Sequence, residues 1–198
     1  MKLKIWQAGE AVLRSQSRPL TPGEIRGPEI QELIASMRDT MRDAPGVGLA
    51  APQIGLDIQL VVIEDRPEYI QKVSPAQIEE RQRRPVPFHV LINPSLTFEP
   101  SETFEFFEGC LSVAGFTAIV PRAGRVRVEY LNEAAESREV VADGWYARIL
   151  QHEIDHLQGT LYIDRMQSRS FSTTDNYMRY LARQSESKFA ARPDPARS

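Results

Sequence analysis

A chain of 198 residues lies near the usual size of one globular domain, long enough to bury a core without disulfides or obligatory partners. Its 24 basic and 27 acidic side chains leave a formal charge of -3, so no global positive field argues for nucleic acid or an anionic membrane as partner. The single cysteine, Cys110, excludes an intrachain disulfide, fits a reducing compartment and leaves one thiol free for a metal.

The amino end, MKLKIWQAGE, lacks the apolar run of about 7–15 residues of a secretory signal, and no apolar stretch of about 18 residues follows. A cytoplasmic protein is expected, with an organelle protein after presequence removal as the alternative. Ile30, Leu33, Ile34, Met37 and Met41 recur at helical spacing between Pro28 and Asp43 and predict an amphipathic helix. Pro45, Gly46, Val47 and Gly48 break that period, and the β-branched run from Ile58 to Ile63 then predicts a buried strand.

Residues 65–87 are rich in arginine and proline and read as a surface excursion with solvated charges and one helical turn around Gln77 to Arg83. From Phe88 to Val141 short alternating runs predict an antiparallel meander; Val126, Val128 and Tyr130 alternate with Arg127 and Glu129. Asp143 and Gly144 supply a helix start, Trp145 to Gln158 is helix-compatible, and Gly159 suits a left-handed end. Beyond Met166 the chain turns polar, with a weak helix expected around Asp175 to Arg183 and a frayed end over 190–198. The expected organisation is a catalytic domain over 1–166 and a polar extension over 167–198.

The predicted second helix carries His152, Glu153, Ile154, Asp155 and His156. Residues four apart share a helix face, so two imidazoles can grip one cation while Glu153 reaches a water there. A third protein ligand is then needed. The metzincin spacing has Tyr162 where its third histidine belongs, and the only later glutamate, Glu186, lies in the polar tail. His89 and Cys110 remain, and Cys110 is favoured: it follows Gly109 at the end of an apolar segment, whereas His89 adjoins a proline-rich stretch.

With these residues in place the chain resembles the peptide deformylase family, whose three motifs stand in order at Gly46 to Gln53, Glu108 to Ser112, and Gln151 to His156. The resemblance covers about residues 1 to 166. It implies an α+β fold of mixed, mostly antiparallel sheets around a central metal-binding helix. It implies removal of the formyl group from the N-terminal formylmethionine of newly made polypeptides, releasing formate, with Glu153 as proton carrier. It assigns oxyanion stabilisation to the Gln53 amide and the Leu111 backbone N–H, and a supporting ion pair to Glu108 and Arg122, with Asp155 orienting from behind.

Gly46 and Gly48, with Gly109, suit close approach of a substrate backbone by strand-like hydrogen bonding. Trp145 and Ile149 continue the face of His152 and His156, so they are expected to line the methionine pocket, with core packing as the plain alternative for Ile149. The family prefers ferrous iron, while zinc, nickel or cobalt also suit two histidines and a cysteine. The implied partners are N-formylmethionyl nascent peptides and the ribosome near its exit tunnel. The rival readings are an endopeptidase with a cleft open on both sides, and a structural metal site in a docking module that uses Arg81 to Arg84.

Overall fold

The computed structural model describes residues 2–181. Proline at the first helical position and the apolar period give α2, Pro28–Asp43, which follows the short, Thr21-capped α1, Pro22–Arg26. Among the described residues the strands are β1, Gly48–Ala50; β2, Leu60–Asp65; β3, Val86–Phe98; β4, Thr103–Gly109; β5, Phe116–Ala123; β6, Arg125–Leu131; β7, Ser137–Asp143; and β8, Ser172–Thr173. They form a five-stranded sheet, in the order β1-β2-β3-β6-β7, and a three-stranded sheet, β4-β5-β8. Neighbours in both pair antiparallel, so the fold is mixed α+β with antiparallel sheets.

The long helix α5, Gly144–Leu157, lies against one face of the larger sheet and α2 against the other. Along β2 the side chains alternate between them. Val61 and Ile63 join Ala147, Leu150 and Ile154 of α5, whereas Leu60 and Val62 join Ile34, Met37 and Met41 of α2. Burial on both faces is why this strand reads as an unbroken apolar run. It also holds α5 against the sheet, and the polar side chains of α5 find partners on β4 and β5: Arg148 and His152 reach Glu108, and Gln151 bonds the backbone of Ala123.

The start of α5 differs from the expected cap. The Asp143 carboxylate bonds Arg125 at 3.2 Å instead of capping the helix. The first helical N–H groups are satisfied by backbone, Gly144 donating to Gly124 O and Trp145 to Arg81 O, each at 2.9 Å. At the other end Gly159 takes the left-handed conformation, φ 70°, as its position suggests.

The arginine-rich excursion holds two short helices, α3, Pro67–Ile70, and α4, Pro75–Glu80, and its arginines are not simply solvated. Arg81 is 8% exposed and stacks over Trp145 at 4.8 Å; Arg83 lies 5.4 Å from the same ring and grips the buried Asp65 with two bonds of 2.8 and 2.9 Å. A docking patch over Arg81 to Arg84 loses its first member to the interior.

Residues 167–177, read from the sequence as the beginning of a polar extension, pack on the smaller sheet. Gln167 N–H bonds Ile119 O at 2.9 Å, Ser170 Oγ accepts from Ile119 N–H at 2.8 Å, and β8 pairs with β5. A short helix, α6, Thr174–Asn176, and a π-type turn, Tyr177–Leu181, follow. The remainder of the expected helix to Arg183 and the end over 190–198 lie outside the described residues. No helix among the described residues is long and apolar enough to cross a membrane.

Candidate active site

Residues four apart on α5 set His152 and His156 side by side, their rings edge to face with centroids 5.1 Å apart. Cys110 follows the last residue of β4, and its Sγ lies 3.3 Å from His156 Nε2. One ligand atom from each of Cys110, His152 and His156 falls within 4.8 Å of the others. A cation about 2.0–2.3 Å from nitrogen and sulfur donors bridges such separations. Beside this set, Glu153 Oε2 is buried with no hydrogen-bond partner among the described residues. A buried, unsatisfied carboxylate oxygen next to sulfur and imidazole donors fits a site built to take a cation and its water.

Glu153 lies against β1. A Cβ at Gly48 would come within 2.5 Å of Glu153 Cδ, so a larger residue there would push the carboxyl from its place. Burial, partly offset by the charge of His152, pushes the Glu153 carboxyl up to about 7.

Gln53 sits in the tight turn Ala51–Ile54 after β1 and is 1% exposed. Its Oε1 accepts the Ala50 N–H at 2.9 Å, which orients the amide, and its Nε2 donates to Ser112 Oγ at 3.2 Å and to Cys110 Sγ at 3.5 Å. The Ser112 N–H also points at Sγ, at 3.4 Å.

Behind the donors lies a buried ionic network. Glu108, on β4, accepts Arg122 Nε and Nη2 at 3.0 Å each, Arg148 Nη1 at 2.7 Å, and His152 Nδ1 at 3.0 Å. The last bond fixes the imidazole and turns its other nitrogen toward the cysteine. Burial alone would raise the Glu108 carboxyl, but hydrogen bonding by His152 and the charge of Arg122 hold it well below the usual carboxylate range. Arg122 also bonds Asp155 at 2.5 Å, and Arg165 grips Asp155 at 2.7 and 2.8 Å. Sequence reasoning missed Arg148 and Arg165, because an arginine inside a helix or beside a turn carries no signal of burial.

A cavity of about 480 Å³ opens over these groups. It gathers Gly46, Gly48, Gln53, Glu108, Gly109, Cys110, Leu111, Trp145, Ile149, His152 and Glu153. His156, Arg122 and Asp155 are buried outside its lining. Trp145 stands beside Phe106, ring centroids 6.4 Å apart, under the Arg81 guanidinium. Tyr162 backs His152 with its ring nearly parallel at 6.4 Å. His89 is engaged elsewhere, with Nε2 2.8 Å from Tyr146 Oη and Nδ1 2.8 Å from Pro87 O.

Replacing Glu108 by glutamine keeps the shape but removes the charge that Arg122 and Arg148 share and that anchors His152 Nδ1. The expected result is a loss of metal affinity of about 10- to 100-fold with a parallel fall in turnover, read by metal titration and a kinetic assay. Unchanged values for both would take Glu108 out of the site's machinery.

A buried carboxylate beside one thiol and two imidazoles, at the floor of a cavity between antiparallel sheets, is an arrangement of the metallohydrolase class. The chain belongs to the polypeptide deformylase family, whose pattern matches residues 2–172. It is 47% identical over 172 residues to the chloroplastic peptide deformylase 1A of Solanum lycopersicum, covering 87% of this chain and 62% of that protein. It is 42% identical over 168 residues to the mitochondrial peptide deformylase of Homo sapiens, covering 85% and 69%. The chain spans 62% and 64% of the tomato relative and of its Arabidopsis thaliana counterpart, less than two thirds of each. Among solved structures, a class I type b peptide deformylase from Acinetobacter baumannii, bound to Met-Ala-Ser, superposes with a TM-score of 0.75 at 32% identity, covering 84% of this chain and 99% of that one.

Proposed function

We propose that this chain hydrolyses the formyl amide at the N-terminal formylmethionine of newly synthesised polypeptides, giving formate and a free amine. The observation that carries this reading is one cavity holding Cys110, His152, Glu153 and the Gln53 amide together. Cys110, His152 and His156 would hold one divalent cation, which when bound supplies the Lewis acidity that activates water and polarises a carbonyl. Glu153 takes a proton from the attacking water and returns it to the nitrogen as the carbon–nitrogen bond breaks. The Gln53 side-chain N–H and the Leu111 backbone N–H donate to the oxygen on which negative charge develops.

Gly46, Gly48 and Gly109 leave room along the cavity for a peptide backbone, and Trp145 and Ile149 supply apolar walls for the methionine side chain. Glu108 and Arg122 keep His152 aligned. The Met-Ala-Ser held by the Acinetobacter baumannii relative supports a methionine-led peptide as the bound species. On this reading residues 1–166 carry the catalytic domain, the proposed compartment is the bacterial cytoplasm with an organelle as the alternative, and the ribosome near its exit tunnel is a partner.

Protein purified without oxygen is expected to carry iron, to release formate from formyl-Met-Ala-Ser, and to lose that activity in air. Casein cleavage without formate release would replace the reading with an endopeptidase, and full air-stable activity with zinc alone would overturn the choice of iron.

A further inference from the structure

Residues 6–8 belong to no helix or strand, yet they bond to both loops that carry the proposed oxyanion donors. On one side the Trp6 N–H donates to Gln53 O at 2.7 Å. The Trp6 indole also abuts Gly55, the left-handed residue that ends the Gln53 turn, where a Cβ would fall 2.5 Å from Trp6 Nε1. On the other side the Ala8 N–H donates to Ser112 O at 2.8 Å. Gln7, between them, spans the loop that follows Cys110: its Nε2 donates to Leu111 O at 3.0 Å, and its Oε1 accepts the Ala114 N–H at 3.2 Å.

That amide has one sensible orientation, because exchanging its oxygen and nitrogen would oppose two acceptors at Leu111 and two donors at Ala114. The Leu111 carbonyl and the Ser112 N–H belong to one peptide group, and that N–H points at Cys110 Sγ at 3.4 Å. The Leu111 N–H lies one peptide group earlier, so rotation of the group that Gln7 holds would swing it. We propose that Gln7 is a positioning residue for the hydrolysis: with the backbone of Trp6 and Ala8 it keeps the Gln53 turn and the Leu111 loop in register, so that donors from two separate loops converge on one oxygen. The inference rests on the deformylase reading. Gln7 is exposed and outside the cavity lining, so it acts only through the loop. Donors that strengthen as charge develops lower the barrier more than they tighten the substrate, so displacing one registers in kcat.

The test measures kcat per bound metal, KM and melting temperature with formyl-Met-Ala-Ser for wild type, Gln7→Ala and Gln7→Glu. Gln7→Ala should lower kcat about tenfold, less than the roughly 100- to 1,000-fold of an oxyanion donor removed outright, with KM within about twofold and the melting temperature unchanged. Gln7→Glu keeps the length and the acceptor for Ala114 but offers Leu111 O no donor, so it should lose at least as much. Wild-type kcat in either variant would overturn the proposal, as would a loss confined to KM or accompanied by a matching fall in melting temperature. Absence of formate release by wild type would sink the deformylase reading, and this inference with it.

Discussion

Glu153→Ala should reduce formate release by about 100- to 10,000-fold, the range of a lost general acid–base group, while the protein keeps its metal. The side chain ligates nothing in this arrangement; it lies buried beside Gly48 with Oε2 unpartnered. A carboxyl held in that way costs stability, so removing it should leave the melting temperature unchanged or raised. The pairing of lost turnover with undiminished stability marks a group kept for chemistry. Near-normal turnover of the alanine variant would discard the proposed proton carrier, and a large fall in melting temperature would point to a structural role.

The second large effect concerns Cys110. Serine is nearly the same size, and Cys110 is only partly buried, so Cys110→Ser should fold. It should nevertheless lose metal by more than the roughly 10- to 100-fold expected of an outer-shell partner, and lose formate release with it. A hydroxyl is a harder and less readily ionised donor than a thiol, and the N–H groups of Gln53 and Ser112 are set at sulfur distances, 3.5 and 3.4 Å. A serine variant that bound metal and turned over like wild type would remove Cys110 from the donor set.

The elements legible in the sequence are those whose period is long and whose ends are marked. The helix Pro28–Asp43 has proline at its start and an apolar stripe throughout, and α5 has a glycine stop at Gly159. The strands β1 and β8 carry too few residues for any alternation to show, and β8 is polar; both are strands only because a neighbour pairs with them. Arg81 and Arg83 looked solvated because charge usually is, and nothing local announces a tryptophan face arriving from residue 145. His152 and His156 were readable as a pair because residues four apart share a helix face, and the structure brings Cys110 to them. The supports Arg148 and Arg165 were not, since a guanidinium reaching a buried carboxylate leaves no pattern along the chain.

Glu108, Arg122, Arg148 and Asp155 are each less than 9% exposed and balance one another in charge. Replacing such a buried network whole by apolar side chains of equal volume is often neutral or stabilising by about 1–4 kcal/mol, less here by the cost of the backbone carbonyls of Val120 and Phe104 that Arg148 satisfies. Heat resistance and catalytic competence are therefore separable traits at this face of α5. A lineage or a laboratory screen that rewards survival at high temperature alone would drift toward leucine and methionine at these positions, keeping the fold while the imidazole of His152 lost its anchor.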